Sequence, residues 1–322
     1  QSTNVFINCT SLISVDFAEG LSEISKKTFV NCTNLTSLSF PKSLKKINPS
    51  AFYMCTNIKT IVLNDNINNI SWGENSFYGS NKIQSIQGYE NNPNLKYENG
   101  ILYIKATSWQ IAIVTINAVN ITFDSSYSYV DKGVFYGHEQ LQSIIIPEKI
   151  ITIGSYSFYG CTGLTSVSFP STITTIEEYA FFGCSSITSL NFKPINAKFK
   201  DNCFGYCESL ESIEFPDACN INFDGSVFYF CTKLHSVKLP RSFKTSNMFP
   251  GCSNLRNVEF SDNVNYINSP EGIYDNKMAF IFGRDGIANF TFSKKPTALF
   301  NGAFKNNTKL TIITIPSSVV SL

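Results

Sequence analysis

Charge is the property that this sequence has least of. Aspartate, glutamate, lysine and arginine make up only 15% of its 322 residues, and 25 basic residues nearly balance 24 acidic ones. A protein that holds a phosphate backbone needs a basic surface, and a net charge of +1 supplies none. We therefore expect no nucleic-acid partner.

Long hydrophobic runs are missing as well. The longest apolar stretch extends roughly from Ile111 to Val119, whereas a membrane-spanning helix needs about 20 residues. We therefore expect no membrane insertion by this segment. No basic and apolar leader follows Gln1, and we expect the chain to be a fragment of a longer surface protein.

Catalytic and metal-binding motifs are also absent. The sequence contains no G-x-S-x-G, no H-E-x-x-H and no phosphate-binding glycine loop. His138 and His235 are the only histidines, and Cys203 and Cys207 lack the C-x-x-C spacing typical of zinc sites. We expect no enzymatic activity, no cofactor and no metal site.

Phenylalanine and cysteine are abundant, and both are periodic. Eight of the cysteines fall into two series with spacings of 21–24 residues, each preceded at three residues by Phe and followed at three by Leu or Ile. The same frame recurs without cysteine at Ser80, His138 and Asn307. Regular spacing of this kind indicates an internal repeat. The periodic cysteines are Cys9, Cys32, Cys55, Cys161, Cys184, Cys207, Cys231 and Cys252.

A complete unit, Leu164–Cys184, reads LTSVSFPSTITTIEEYAFFGC. Its V-x-F alternation has period two and predicts a short strand, which the following proline ends. The glycine before the cysteine suits a turn that requires positive φ. Because one unit is too small to bury its own apolar residues, successive units must stack. The sequence predicts a mainly β leucine-rich-repeat solenoid of ~23-residue coils, with a parallel β-ladder and little α-helix.

Two gaps interrupt the repeat, at about residues 84–134 and 259–303. The first contains Gly100-Ile101-Leu102-Tyr103 and the second contains Gly272-Ile273-Tyr274. Both gaps are rich in residues that favour strands. We predict that each is an enlarged unit with an extra β-hairpin, inside a single solenoid that covers residues 1–322.

The consensus L-x-x-V-x-F-P-x-x-I-x-x-I-x-x-x-A-F-x-G-C resembles the BspA-type leucine-rich repeat. The proline after the strand, the turn from Ala180 to Cys184 and the 23-residue period all agree with that family. The resemblance covers nearly the whole chain. It implies a secreted or cell-surface protein of a mucosal bacterium or a protozoan. It also implies adhesion to host cells, matrix proteins or other microbes.

Outward-pointing side chains of the predicted ladder are the first candidates for a binding site. Successive strand residues point to opposite faces, so every second side chain points outward. The outward side chains of successive coils form rows, and packing of the core does not determine their residue types. Between Glu211 and Glu259 these rows are charged, and a protein partner would use them; the alternative is plain solvated surface. The candidate ligand-binding residues are Lys59, Gln84, Gln142, Glu211, Glu214, His235, Lys238, Arg256 and Glu259.

The first enlarged unit supplies a second candidate surface, because a hairpin there would protrude from the solenoid. Exposed tyrosine and tryptophan are favoured contact residues at interfaces. The alternative is that these rings cover the small core of the hairpin itself. The candidate residues are Tyr89, Tyr97, Tyr103 and Trp109.

The cysteines could form disulfides or remain free. Neighbouring copies would lie about 5 Å apart, which is within the Cα range of a disulfide. Equivalent positions, however, point their Cβ atoms in the same direction and not at each other. We predict buried free thiols that act as small apolar residues.

The sequence also contains seven Asn-x-Ser/Thr sequons. About this many arise by chance in a chain so rich in Asn, Ser and Thr, and they matter only if a eukaryote secretes the protein. The possible N-glycosylation sites, which would make it a glycoprotein, are Asn8, Asn31, Asn34, Asn69, Asn120, Asn289 and Asn306.

Two functional hypotheses follow. The first is an extracellular or cell-surface adhesin that presents the repeat face to a host-cell or matrix protein, a glycan or another microbe. The alternative is a structural scaffold that self-associates or spaces another domain. Fold alone does not distinguish them.

Overall fold

The structure is a computed structural model. It describes residues 4–63, 70–73, 75–105, 109–123, 127–193, 196–240, 248–260, 266–268, 272–275, 279–283, 289–292, 295–299, 303–304, 307–320 and 322. These residues form 27 strands, β1 to β27 in chain order, and no helix. The chain winds as a β-solenoid with coils of about 23 residues, which confirms the predicted fold class.

The V-x-F segments of successive coils form the first side of the solenoid, ladder one. Ser143, Ser166 and Ser189 are aligned on neighbouring parallel strands. Pro170 directly follows one of these strands and ends it, because proline has no N–H to donate. The strands of ladder one are β2 Ser37–Ser39, β4 Thr60–Val62, β6 Ser85–Gln87, β10 Asn120–Thr122, β12 Ser143–Ile145, β14 Ser166–Phe169, β16 Ser189–Phe192, β18 Ser212–Glu214, β20 Ser236–Leu239 and β21 Asn257–Phe260.

A second parallel ladder, ladder two, runs along the next side and was not predicted. It is built from the second apolar pair of each unit. Most of its strands have only two residues, such as Thr175–Ile176, too few to show an alternating pattern. The strands of ladder two are β1 Glu23–Ile24, β3 Lys46–Ile47, β5 Ser71–Trp72, β11 Tyr129–Val130, β13 Thr152–Ile153, β15 Thr175–Ile176, β17 Asn196–Phe199 and β19 Asn220–Phe223.

The third side consists of turns that also bond from coil to coil. The Phe158 N–H donates to the Ala180 carbonyl and the Gly160 N–H donates to the Phe182 carbonyl, both at 2.8 Å. The predicted positive φ just before the cysteine is confirmed, for example at Gly160 (68°) and Gly183 (74°). A second positive φ, which was not predicted, lies four residues earlier in the coil, at Tyr156 (58°) in this case.

Identical residues stack in columns inside the solenoid. The rings of Phe158 and Phe181 lie 4.8 Å apart and 7° from parallel, and those of Phe181 and Phe204 lie 5.3 Å apart. All three side chains are fully buried. Burying such a ring contributes about 1.5–3 kcal/mol, and an aromatic pair adds about 0.5–1.5 kcal/mol.

The first enlarged unit forms a three-stranded antiparallel sheet, which confirms the predicted hairpin. Its strands are β7 Leu95–Glu98, β8 Ile101–Lys105 and β9 Trp109–Val114. The sheet does not protrude, because β8 is buried on both faces. Leu102 packs into the core formed by the coils before it, and Ile101 packs into the core formed by the coils after it. We call this sheet the septum, since it separates two hydrophobic cores.

The second enlarged unit also contains antiparallel strands. Within its described residues, β22 Tyr266–Asn268 pairs with β23 Gly272–Asp275, which pairs with β24 Ala279–Gly283. The parallel pattern then resumes, since β24 pairs with β26 Ala298–Leu299. Strand β25 Asn289–Phe290 likewise pairs with β27 Ile312–Ile313. Both enlarged units therefore insert antiparallel strands into the solenoid.

Candidate functional site

The outward side of ladder one, which we call the ladder face, carries the predicted rows. Lys59, Gln84 and Gln142 are all exposed on it. Their backbones bond from coil to coil: the Gln84 N–H donates to the Lys59 carbonyl, and the Gln142 N–H donates to the Val119 carbonyl. The structure therefore places these side chains on one surface, but on separate coils.

The six charged candidates come together on three adjacent strands, β18, β20 and β21, or at the residue directly before each strand. The pairing aligns Glu214 with Lys238, and Lys238 with Glu259. A second row lies beside it, because the His235 N–H donates to the Glu211 carbonyl and the Arg256 N–H to the His235 carbonyl. The two rows form one compact charged patch.

The charges of the row through Lys238 are only partly paired within the protein. Lys238 Nζ lies 3.0 Å from Glu214 Oε1 and 3.8 Å from Asp217 Oδ1. The hydrogen bond to Glu214 raises the pKa of Lys238 above its usual value. Glu259 accepts a 2.9 Å hydrogen bond from Asn257 Nδ2. Lys238 is thus the one cation beside the carboxylates of Glu214, Asp217 and Glu259, so this row keeps an excess of negative charge.

The neighbouring row of Glu211, His235 and Arg256 differs from it. All three side chains are exposed, and none of them contacts an opposite charge or a hydrogen-bonding side chain within the described part of the chain. One acid, one imidazole and one guanidinium thus point into solvent from a rigid backbone ladder. Arg256 can bind a carboxylate in a bidentate manner, and Glu211 can accept from a donor.

The aromatic candidates of the first enlarged unit occupy different environments. Tyr103 is 6% exposed and belongs to the core, where its ring contacts Tyr127. Tyr89 and Tyr97 are half-buried and in contact, with ring centroids 5.4 Å apart, and the Tyr97 hydroxyl bonds Thr115 Oγ1 at 3.0 Å. The side chain of Trp109 lies outside the described residues. Only Tyr89 and Tyr97 therefore present described ring surface to solvent.

The sequons fall mostly on exposed surface where they are described. Asn8, Asn34 and Asn120 are exposed, and Asn31 is half-buried. Asn31 Nδ2, the atom that would carry a glycan, donates a 2.9 Å hydrogen bond to Asn8 Oδ1. Asn69, Asn306 and the side chain of Asn289 lie outside the described residues.

All ten cysteines are free, which agrees with the prediction, and nine of them are buried. The thiols do not act only as small apolar residues, because each buried thiol of the periodic column also donates a hydrogen bond to a carbonyl of the preceding coil. Cys184 Sγ lies 3.1 Å from the Phe158 oxygen, and Cys55 Sγ lies 2.9 Å from the Phe29 oxygen. Burial raises the pKa of Cys55 to about 12. The thiols are therefore protonated and structural.

Two of the residues that replace cysteine in the column, Ser80 and His138, also bond a backbone carbonyl of the neighbouring layer. Ser80 Oγ donates to the Phe52 carbonyl at 3.3 Å. His138 follows the septum, and its Nε2 lies 3.2 Å from the carbonyl oxygen of Val114 in β9. Burial lowers the pKa of His138, so the ring is neutral. A longer donor thus replaces cysteine where the neighbouring layer is a strand and not a turn.

A row of aromatic rings in contact along the turn side was not predicted from the sequence. Successive ring centroids are 4.6–5.3 Å apart, and most of the rings are half-buried. An aromatic residue directly after the repeated Phe would have revealed the first five members. The row comprises Tyr53, Tyr78, Tyr136, Tyr159, Phe182, Tyr206 and Phe230.

Over the described ranges, no helix has the length and apolar character of a membrane span.

Two solved structures share the fold. One is a leucine-rich cell surface protein from Faecalibacterium prausnitzii, with 20% identity and a TM-score of 0.54 over 79% of this chain. The other is the pneumococcal vaccine antigen PcpA, with 18% identity and a TM-score of 0.64, also over 79% of the chain. The alignments span 61% and 64% of those two structures.

Sequence comparison identifies the repeat itself. No curated protein matches the chain significantly. The family model of the BspA-type leucine-rich repeat region matches residues 2–99, 113–222, 156–277 and 221–322, with six copies. These ranges include nearly every residue and both series of periodic cysteines. Together with the coiled parallel ladders, they show that the chain belongs to the BspA-type leucine-rich repeat family.

Proposed function

We propose that the protein is a cell-surface or secreted adhesin, a binding module that presents its ladder face to a protein or glycan of host cells, matrix or other microbes. The observation that carries this proposal is the row of Glu211, His235 and Arg256. The solenoid does not use these side chains, yet its backbone holds them at fixed spacing. Preorganised groups lose little entropy when a partner binds.

The surface location is supported by the family. BspA-type repeats are linked to surface proteins, and one structure with this fold is described as a cell surface protein. Asn8 and Asn34 are exposed and available to a glycan in a eukaryotic secretory pathway. Immunolabelling of intact cells would test this location, and signal that requires permeabilised cells would contradict it.

The binding role is tested by reversing the charges of the patch. We expect the combined Glu211→Lys, Lys238→Glu and Arg256→Glu variant to lose binding to the host-cell or matrix component that the wild type captures in an array. A matched control reverses Glu23, Lys46 and Lys45 on and beside ladder two, which gives the same change in net charge. Equal binding by both variants would reject the ladder face as the binding surface.

Sedimentation over a range of concentrations separates this role from the scaffold alternative. An adhesin module is expected to stay monomeric while it binds its partner. Self-association that the patch variant abolishes, without any binding to host or matrix components, would instead support a structural scaffold.

A further inference from the structure

The aromatic row on the turn side continues past the septum without interruption. The Tyr78 and Tyr136 rings come from opposite sides of the first enlarged unit, yet their centroids lie only 4.8 Å apart. From Tyr136 the row proceeds to Tyr159 at 4.9 Å and then to Phe182 at 5.2 Å. Tyr179 lies beside the row, with its ring centroid 5.4 Å from that of Phe182. The turn side thus carries a continuous strip of rings along the axis of the solenoid.

The hydroxyl groups of this row are available to a partner. Within the described part of the chain, the hydroxyls of Tyr136, Tyr159 and Tyr206 make no hydrogen bond inside the protein, and they are not buried. Each can therefore donate to an acceptor from outside. The edges of aromatic rings carry partial positive charge, which also favours acceptor atoms. The row therefore suits a partner that is apolar and rich in carbonyl oxygens.

Open space lies beside the rings at Gly160 and Gly183, which we call the glycine strip. A β-carbon at either glycine would contact only the backbone of the preceding glycine of the column, at 3.7–3.8 Å. The equivalent residue of the next coil is Tyr206, whose ring fills this space and lies 5.1 Å from the Phe182 ring. The glycine strip therefore leaves a recess two coils long beside the aromatic row, and the recess ends at Tyr206.

The spacing of the coils indicates which kind of chain fits the recess. Two coil steps cover about 9.6 Å. A polyproline II helix repeats every three residues, or about 9.3 Å, so a segment parallel to the solenoid axis places equivalent residues beside every second ring. A β-strand presents the same face every two residues, or about 6.7 Å, and matches neither one step nor two. The backbone carbonyls of polyproline II are free to accept hydrogen bonds, and proline has no N–H that would need an acceptor.

The charge of the turn side complements a basic residue at the end of such a segment. Glu178 and Glu208 are exposed, and neither forms an ion pair among the described residues. Of the two lysines on this side, Lys200 is paired with Asp224 at 3.3 Å, and Lys132 lies over an aromatic ring. A basic residue of the segment would therefore meet carboxylates without a partner. The charged residues of the turn side from residue 131 to residue 208 are Asp131, Lys132, Glu139, Glu177, Glu178, Lys200, Asp201 and Glu208.

We propose that the aromatic row and the glycine strip bind a proline-rich segment of a partner protein, in the polyproline II conformation and with a basic residue at one end. The segment lies along the solenoid axis, packs its proline rings against Tyr159 and Phe182, and accepts hydrogen bonds from the tyrosine hydroxyls. Surfaces lined by aromatic residues recognise such segments because the polyproline II helix is preformed and loses little entropy on binding. This site lies on a different side of the solenoid from the ladder face and does not depend on the function proposed there.

A fluorescein-labelled peptide of nine prolines followed by one arginine is the probe. We expect it to bind the full chain in an anisotropy titration. The control peptide has the same length and the same arginine, but glycine and serine replace the prolines. We expect the control peptide to bind roughly tenfold more weakly or worse, because a flexible chain must first be ordered and lacks the proline rings.

Asparagine substitutions test the recess and leave the backbone conformation unchanged. Asn31 occupies the equivalent position of an earlier coil with a φ of 59°, close to 68° at Gly160 and 74° at Gly183. The combined Gly160→Asn and Gly183→Asn variant should therefore keep the wild-type circular dichroism spectrum, fill the recess and weaken peptide binding roughly tenfold or more. The matched control, Thr165→Asn with Thr188→Asn at exposed positions of the ladder face, should bind the peptide as the wild type does.

Tyr159→Phe separates the role of the hydroxyl from that of the ring. We expect it to weaken peptide binding several-fold, because one hydrogen bond is lost while the ring remains. Absence of peptide binding by the wild type, equal binding of the control peptide, or equal effects of the two asparagine pairs would overturn the proposal. If the glycine variant does not fold, Tyr159→Phe decides, and unchanged binding would overturn the proposal. Capture of a linear polysaccharide or of a second copy at the recess, without binding of the proline peptide, would also overturn it.

Discussion

At the residue scale, the cysteine column shows how a small side chain meets two requirements in every coil. The thiol fills a fully buried position, and it donates to a buried carbonyl of the preceding coil, as Cys184 does with Phe158. Ser80 occupies the same position and makes the same bond with a hydroxyl. The column therefore selects a small donor and not sulfur as such.

This interpretation predicts the order of two substitutions at Cys184. Cys184→Ala removes a hydrogen bond from the buried Phe158 carbonyl, which costs about 1–3 kcal/mol. Cys184→Ser keeps a donor of similar size, so we expect a smaller loss. Urea unfolding of the two variants measures the difference. A serine variant less stable than the alanine variant would show that burial of sulfur, and not the hydrogen bond, decides the residue.

The buried thiols also predict sensitivity to alkaline pH. Burial raises the pKa of Cys55 to about 12 and lifts the pKa of Cys184 well above the usual value of a thiol. A thiol with a raised pKa in the folded state stabilises the fold fully below the pKa of the unfolded chain, and this stability is lost as the pH rises. We expect the free energy of unfolding to fall between about pH 9 and pH 12.

Thermal unfolding over that pH range measures the effect, and Cys55→Ser provides the control. The variant should show a shallower decline, since it has one titrating group fewer. A wild-type stability that is constant from about pH 9 to about pH 12 would contradict the buried, protonated column.

At the element scale, the septum is the feature that the sequence describes least well. Its composition correctly predicts antiparallel strands, because Ile101 to Lys105 is rich in β-formers. A run of apolar residues without alternation also indicates burial on both faces. The sequence does not show where this sheet lies in the solenoid, because the residues that contact Ile101 and Leu102 belong to coils on opposite sides of the insertion.

The septum predicts a large effect for truncation of its central strand. Leu102 is fully buried, so Leu102→Ala should lower the free energy of unfolding by about 2–5 kcal/mol. Ile145→Ala, at an exposed position of ladder one, should change it by less than about 0.5 kcal/mol. Denaturant titration compares the two. A Leu102 variant as stable as the Ile145 variant would mean that the hairpin protrudes into solvent.

The turns show a similar division between what sequence reveals and what it does not. Gly160 and Gly183 indicate a positive φ, because glycine adopts such a backbone conformation without steric cost. Met54, Tyr206 and Phe230 adopt nearly the same φ of 55–58° at the equivalent position, where nothing in the residue type suggests it. The amide of each of these residues donates to a carbonyl of the next coil, and Phe230 also stacks on Tyr206 with rings 5.3 Å apart.

At the scale of the whole molecule, the repeat period determines nearly everything about the ladder face. The row from Gln142 to Arg256 could be predicted from the spacing alone, because each coil adds one strand and the register places equivalent residues side by side. The ion pairs on this face could not be predicted from the spacing, because the contacts of Lys238 with Glu214 and Asp217 depend on side-chain conformation.

The most direct test of the coiled ladder is a pair of distances along one row. Spin labels are attached to cysteines introduced at exposed positions, in a background with Cys9→Ser, because the other native thiols are buried. The pair Gln142→Cys and His235→Cys spans four coil steps, and the pair Gln142→Cys and Arg256→Cys spans five. At about 4.8 Å per step, double electron–electron resonance should give roughly 19 Å and 24 Å. Two distances that do not increase with the number of coils would contradict the solenoid and every surface assigned to it.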